Sequence, residues 1–412
     1  MNGRGIKQSG WSLTRRRLLG QAGMAGFALT AGPAWAKSID LGLPGGPGER
    51  PITNDFPQKG AMVLQRTRPP LLETPFEVYD QGVFTPNDRF YVRWHWAVIP
   101  SEIDVGKFRL AVHGHVDKPL SLTLSEITAM PQVEIAAVNQ CSGNSRGFFQ
   151  PRVAGGEWGN GAMGNARWAG VRLKDVLDRA GVKAGAVQVR FNGLDEPVVP
   201  DGPDFMKSLS VDHARDGEVM IAYQMNGQPL PLLNGFPLRL IVPGWYATYW
   251  IKMLSEIEVL DQPDSNFWMK TAYTIPDTPR ADMKPGQADV KMVPINKMVP
   301  RSFITNLKSG ATIHAGAATT VRGIAFGGDS GLKQVDFSTD GGKSWQTTSL
   351  DKDEGKYSFR CWRTNFTAPA KGDYVLMVRC TNAEGIAQPD QANWNPAGFM
   401  RNVIEAIPVT AA

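Results

Sequence analysis

Apolar and polar residues alternate along several stretches of this chain, and three-to-four spacing is confined to a few short ones. Residues 90–96, Phe90-Tyr91-Val92-Arg93-Trp94-His95-Trp96, have the period of two that predicts a strand, with Arg93 and His95 on one face. Residues 108–116, 186–191 and 237–242 also read as strands. A polar cap before Leu124-Ser125-Glu126-Ile127 predicts a short helix, and residues 174–181 predict another, closed by Gly181. The first large region is therefore expected to be α+β. Residues 37–85 are rich in proline and glycine, have little periodicity, and read as an extended arm wrapping a domain. Residues 275–300 lose the apolar period and read as a domain junction. Beyond them, strand patterns at 318–326, 334–339, 357–363 and 374–380 suggest a β-sandwich of immunoglobulin type. Asp340-Gly341-Gly342 marks a hairpin turn, and Trp345 is expected in the sandwich core.

A length of 412 residues allows two or three domains, and 42% hydrophobic with 20% charged residues fits a globular protein. The formal charge of +5 sits in residues 1–36, which hold Arg4, Lys7, Arg15, Arg16 and Arg17 and no acid. Without those five, the 44 basic residues are reduced to the number of acidic ones, 39, so nothing points to nucleic acid. Thr14-Arg15-Arg16-Arg17-Leu18-Leu19 fits a twin-arginine pattern. A weakly apolar stretch broken by Gly20, Gly23 and Gly26 follows, then the small-x-small site Ala34-Trp35-Ala36. Residues 1–36 are thus expected to be a twin-arginine signal peptide directing export to the periplasm, with no membrane anchor. That route carries proteins already folded, often around a cofactor.

Three cysteines are too few for a disulfide scaffold. Cys361 and Cys380 lie in strand-like runs and could be bridged or remain two separate thiols. Cys141 lies in Asn139-Gln140-Cys141-Ser142-Gly143-Asn144-Ser145-Arg146, a turn-forming run beside a cation. A thiolate there could attack an electrophile, alone or paired with His95, or bind a soft metal; a buried inert thiol is the plain alternative. His113-Gly114-His115 puts two imidazoles on one strand face without a third ligand at useful spacing. No CxxC, HExxH or CxxCH occurs, no GxGxxG follows a strand, and no GxxxxGK[ST] is present. Arg93, set between aromatic residues, suits either a structural ion pair or an oxyanion pocket; Arg239 and Lys252 could grip a second anion.

Several segments, taken in order, resemble the sulfite oxidase family of molybdenum enzymes. They are Arg93-Trp94-His95, the loop from Cys141 to Arg146, and Ala166-Arg167-Trp168-Ala169-Gly170-Val171-Arg172-Leu173. Gly193-Leu194-Asp195, Tyr223-Gln224-Met225-Asn226-Gly227-Gln228-Pro229-Leu230-Pro231 and Gly235-Phe236-Pro237-Leu238-Arg239 follow. Residues 268–273, ending in Tyr273, and Ser338-Thr339-Asp340-Gly341-Gly342-Lys343-Ser344-Trp345 complete the set. The resemblance implies an α+β molybdopterin-binding catalytic domain at 37–289 and an immunoglobulin-like dimerisation domain at 290–412. It implies a molybdenum–molybdopterin cofactor with Cys141 as the metal ligand. Tyr91, His95, Asp195, Arg239 and Lys252 would hold the pterin group, with Asn234 where animal members carry histidine. Arg93, Arg146 and Tyr273 would form the substrate pocket. Ala397 stands where animal members have a further arginine, which Arg401 could replace. The implied reaction is oxidation of sulfite to sulfate by a homodimer. No His-Pro-Gly-Gly haem motif is present, so the expected electron acceptor is a separate c-type cytochrome. A sulfane dehydrogenase subunit, a methionine sulfoxide reductase and a metal-free binding protein of the same fold are the alternatives.

Overall fold

The computed structural model describes residues 37–412; the expected signal peptide lies outside the described residues. Residues 37–85 are not a loose arm. Strands Ser38–Asp40, Glu49–Thr53, Met62–Arg66 and Leu71–Glu73 pair in sequence order with Val92–Arg93 to make an antiparallel five-stranded sheet. Strands of three to five residues joined by Pro/Gly turns are too short to show a period. The strand expected over 90–96 is cut to Val92–Arg93, because Pro70 rather than a strand partner receives the Trp94 N–H. Trp94 then packs with Met62, Leu72 and Val92 against Leu233 and Met253.

Two further sheets carry the site. In one, Lys207–Ser210, Gln188–Asn192, Glu256–Leu260, Leu110–Gly114 and Leu120–Leu122 lie side by side. In the other, Gln228–Pro229, Met220–Met225, Met163–Arg172 and Val133–Gln140 do so, with Arg239–Ile241 also pairing Met220–Met225. The hairpin of Val133–Gln140 and Met163–Arg172 is paired through Gln140 opposite Met163. Cys141 is the next residue, and its N–H is tied to the Ala162 carbonyl at 2.9 Å. The helix Leu173–Ala180 leaves directly from that hairpin; Leu173, Val176, Leu177 and Ala180 are its buried face, and Gly181 ends it at φ 71°. Thr123 and Glu126 form a reciprocal cap on the helix Leu124–Thr128.

The C-terminal part is a sandwich. Arg301–Ile304, Ala318–Phe326, Arg360–Thr367 and Ser349–Leu350 form one sheet; Ala311–Ile313, Glu405–Ala411, Gly372–Asn382, Leu332–Ser338 and Gln346–Thr347 form the other. Val335, Phe337, Trp362, Leu376 and Val378 fill its core. Trp345 does not: it follows the glycine turn at the sheet edge and is half-buried. Its indole donates to the Gly342 carbonyl at 3.0 Å and lies under the Arg379 guanidinium, 4.3 Å from the ring centre. Cys361 and Cys380 fall in opposite sheets and are separate thiols. The junction at 275–300 is anchored by a small ribbon, Thr274–Pro276 against Met292–Pro294. The apolar core continues across it, since Phe303, Phe326, Phe359 and Phe399 belong to the same cluster as Trp158, Trp168 and Tyr273. Among the described residues, no helix is long and apolar enough to cross a membrane.

Candidate functional site

Cys141 sits where the long hairpin opens into a tight loop. The Asn144 N–H returns to the Cys141 carbonyl at 3.0 Å, and the Arg146 N–H returns to Gly143 at 3.0 Å. Asn144 pins the loop to the hairpin by accepting from the Ala162 N–H at 2.9 Å. A side chain at Gly143 would stand 2.4 Å from the Arg146 Nη2, so glycine is what lets the guanidinium fold back over the loop.

The thiol faces a narrow cavity of about 30 Å3 whose walls include Tyr91, Arg93, His95, Arg239, Lys252 and Tyr273. An outer cavity of about 250 Å3 shares Arg93, His95 and Tyr273 and adds Arg146, Trp158, Trp268 and Phe399. The alternation that put Arg93 and His95 on one face therefore holds, though regular strand covers only the first of them. Arg239 and Lys252 oppose each other in an antiparallel bridge, so two cations reach the inner cavity from adjacent backbone. Burial pulls Lys252 down to about 7 and Arg239 to about 10, and it raises the Asp195 carboxyl. Burial, then the Arg93, Lys252 and Lys207 charges, hold His95 well below its usual range and so neutral. Burial raises Tyr273, whose hydroxyl stays protonated. His95 Nε2 lies 2.6 Å from the Tyr273 hydroxyl. That contact makes no Cys141–His95 nucleophile pair and joins His95 to Tyr273 instead.

Asn234 is buried beneath the inner cavity, with both ends of its amide engaged. Its Oδ1 accepts from Lys59 Nζ at 2.5 Å, and its Nδ2 donates to the Tyr91 carbonyl at 3.1 Å. One amide hydrogen is left to point elsewhere. Arg146 Nε donates to the Ala397 carbonyl at 3.0 Å, so residue 397 takes part through its backbone. Arg401 does not replace a cation in the pocket: it pairs with Glu405 and lies over Phe148. His113 and His115 are away from the site. His113 contacts Glu256 at 2.7 Å, and the neighbouring parallel strand brings Glu258 near as well, a ligand that sequence spacing did not show.

Six buried polar atoms around the inner cavity have no hydrogen-bond partner among the described residues: Arg93 Nη1, His95 Nδ1, Asn139 Nδ2, Ser142 Oγ, Arg239 Nε and Thr248 Oγ1. Each such atom costs about 1–3 kcal/mol unless something bonds to it. Three cations, several free hydrogen-bonding atoms and one thiol form a donor set for a soft metal on sulfur and an anionic, heteroatom-rich organic group beside it. The residues thus fit a molybdenum–molybdopterin group. Asn139 and Thr248 are additions to the expected set. Asn139 Oδ1 takes hydrogen bonds from Tyr91 at 2.7 Å and Arg239 at 3.3 Å, and its position two residues before Cys141 was the one available signal.

Comparison with known proteins gives the same answer. Residues 96–268 match the oxidoreductase molybdopterin binding domain, and residues 292–411 match the Mo-co oxidoreductase dimerisation domain. Human mitochondrial sulfite oxidase is 34% identical over 369 residues, covering 85% of this chain and 66% of that protein. The chain thus spans just under two thirds of the length of the human protein. Sulfite oxidase of Gallus gallus is 30% identical over 366 residues, covering 85% of this chain and 78% of that protein. The crystal structure of the sulfane dehydrogenase SoxCD from Paracoccus pantotrophus superposes with a TM-score of 0.71 over 95% of each chain at 22% identity, a likeness of fold. A cysteine-centred cationic cavity and a two-domain match of this extent lead to one conclusion: the chain belongs to the sulfite oxidase family of molybdopterin-binding oxidoreductases.

Proposed function

We propose that this molybdenum oxidoreductase converts sulfite to sulfate in the periplasm and passes electrons singly to a separate c-type cytochrome. The observation that carries the reading is the meeting of Cys141, Arg93 and Tyr273 on one cavity that runs out past Arg146. When bound, the molybdenum group supplies the oxygen transfer and accepts the electron pair. Cys141 holds the metal through its thiolate. Arg239 and Lys252 neutralise the anionic part of the pterin group, while Tyr91, His95, Asp195 and Asn234 line or brace its seat. Arg93 and Arg146 attract and orient the sulfite oxyanion, with Arg93 Nη1 free to donate to it. The Tyr273 hydroxyl, held at the neutral His95, hydrogen-bonds to substrate. Aromatic walls from Trp158, Trp268 and Phe399 limit water. Sulfite gains one oxygen from water and releases two protons and two electrons.

The twin-arginine pattern at 15–17 supports the periplasmic address, and the C-terminal sandwich supports a homodimer. A sulfane dehydrogenase role is the second reading. The outer cavity favours it, because sulfite alone does not fill about 250 Å3. The test compares metal-loaded protein on sulfite and thiosulfate with cytochrome c as acceptor, and on methionine sulfoxide with a reductant. Sulfite is expected to give the fastest turnover; sulfite at background rate would sink the proposal.

A further inference from the structure

Arg301 is fully buried, yet it belongs to the sandwich and lies outside both cavities. Its Nη1 donates across the domain boundary to Ser145 Oγ at 2.9 Å, its Nη2 donates to Glu405 at 3.2 Å, and its guanidinium lies 4.5 Å from the Phe303 ring centre. Burial lowers it to about 10, so it stays cationic at neutral pH. Ser145 is also fully buried and precedes Arg146 directly. Its backbone is left-handed at φ 68°, where glycine is the relaxed choice. The hydroxyl explains the serine. It donates to Asn160 at 2.6 Å and accepts from Arg301, so both of its directions are fixed. Two more bonds tie the same loop to the sandwich side: Met400 N–H to the Ser142 carbonyl at 3.0 Å, and Arg146 Nε to Ala397 at 3.0 Å. A clamp needed only for stability is served as well by apolar residues as by a buried charge.

We propose that Arg301 is a positioning residue: through the Ser145 hydroxyl it sets the cysteine loop, and with it Arg146, so that the oxyanion site is completed from the second domain. This rests on Arg146 being a substrate contact. The test uses the full metal-loaded chain and three variants, Ser145→Gly, Arg301→Gln and the double. Ser145→Gly removes the hydroxyl while relaxing the backbone, so it keeps the test open if Arg301→Gln fails to fold. Amide hydrogen exchange across 142–149 is expected to accelerate about tenfold in each, with strand 372–382 unchanged. Sulfate dissociation constant and sulfite KM are expected to rise about tenfold, kcat to move less than twofold, and molybdenum content to hold. The double variant is expected to be no worse than the poorer single one. Unchanged loop exchange in both single variants overturns the proposal, as does faster exchange with sulfate affinity unmoved. If the parent enzyme turns over no sulfite, the reaction reading falls, and exchange with sulfate binding still decides the role of Arg301.

Discussion

At the scale of the residue, the proposed reaction rests on a single sulfur atom and a few cations. Cys141→Ser exchanges a soft donor for a hard one, and the expected result is loss of sulfite turnover and of the cysteine's share of the metal–sulfur signal in X-ray absorption, the sulfurs of the pterin group remaining. Arg93→Gln keeps a donor but removes the charge. A charge-assisted hydrogen bond is worth about 1.5–3 kcal/mol, so sulfite KM is expected to rise roughly ten- to hundredfold with molybdenum content unchanged. An unchanged KM would show that Arg93 faces something other than substrate. These residues were legible because their spacing travels with them: a cysteine loop, an Arg-x-His pair, a tyrosine after a tryptophan segment. Asn139, Thr248 and Lys59 were not. Their residue types are common, and only the folded chain shows that Asn139 bridges Tyr91 and Arg239 or that Lys59 braces Asn234.

Elements differ in how openly they declare themselves. The helix Leu173–Ala180 shows its buried positions at the helical period and its glycine stop, and it was readable almost to the residue. The sheet made by residues 38–93 was not, because each short strand is defined by its neighbour rather than by its own pattern. Trp345 misled for a related reason: a tryptophan after a hairpin turn is as well placed over a surface arginine as inside a sandwich. The helix lies apart from the cavity, which separates stability from chemistry. Leu177→Ala is expected to cost about 2–5 kcal/mol in urea unfolding and to leave sulfite KM untouched. A shifted KM would mean that the helix feeds back on the Cys141 loop.

For the molecule as a whole, buried lysines set the pH response. Lys207 is fully buried, with its ammonium 4.6 Å from the Tyr249 ring centre, and burial lowers it from 10.5 to about 7. Between pH 7 and 9 the unfolded chain binds a proton there that the folded chain has begun to release, so stability rises with pH through that window. The melting temperature is expected to climb from pH 7 to 9, and Lys207→Met is expected to make the climb shallower, with the buried Lys59 and Lys252, also lowered to about 7, supplying the rest; an equal slope in both proteins would remove Lys207 as a source. The continuous core has a different consequence. Phe303, Phe326, Phe359 and Phe399 share one apolar cluster with Trp158 and Tyr273, so the two halves that families recognise separately are packed together through a common apolar interface. A calorimeter should therefore record one melting transition rather than two. The two halves therefore answer for each other: a substitution at Phe303, in a sandwich strand, loosens the same cluster that holds Trp158 and Tyr273 at the catalytic cavity.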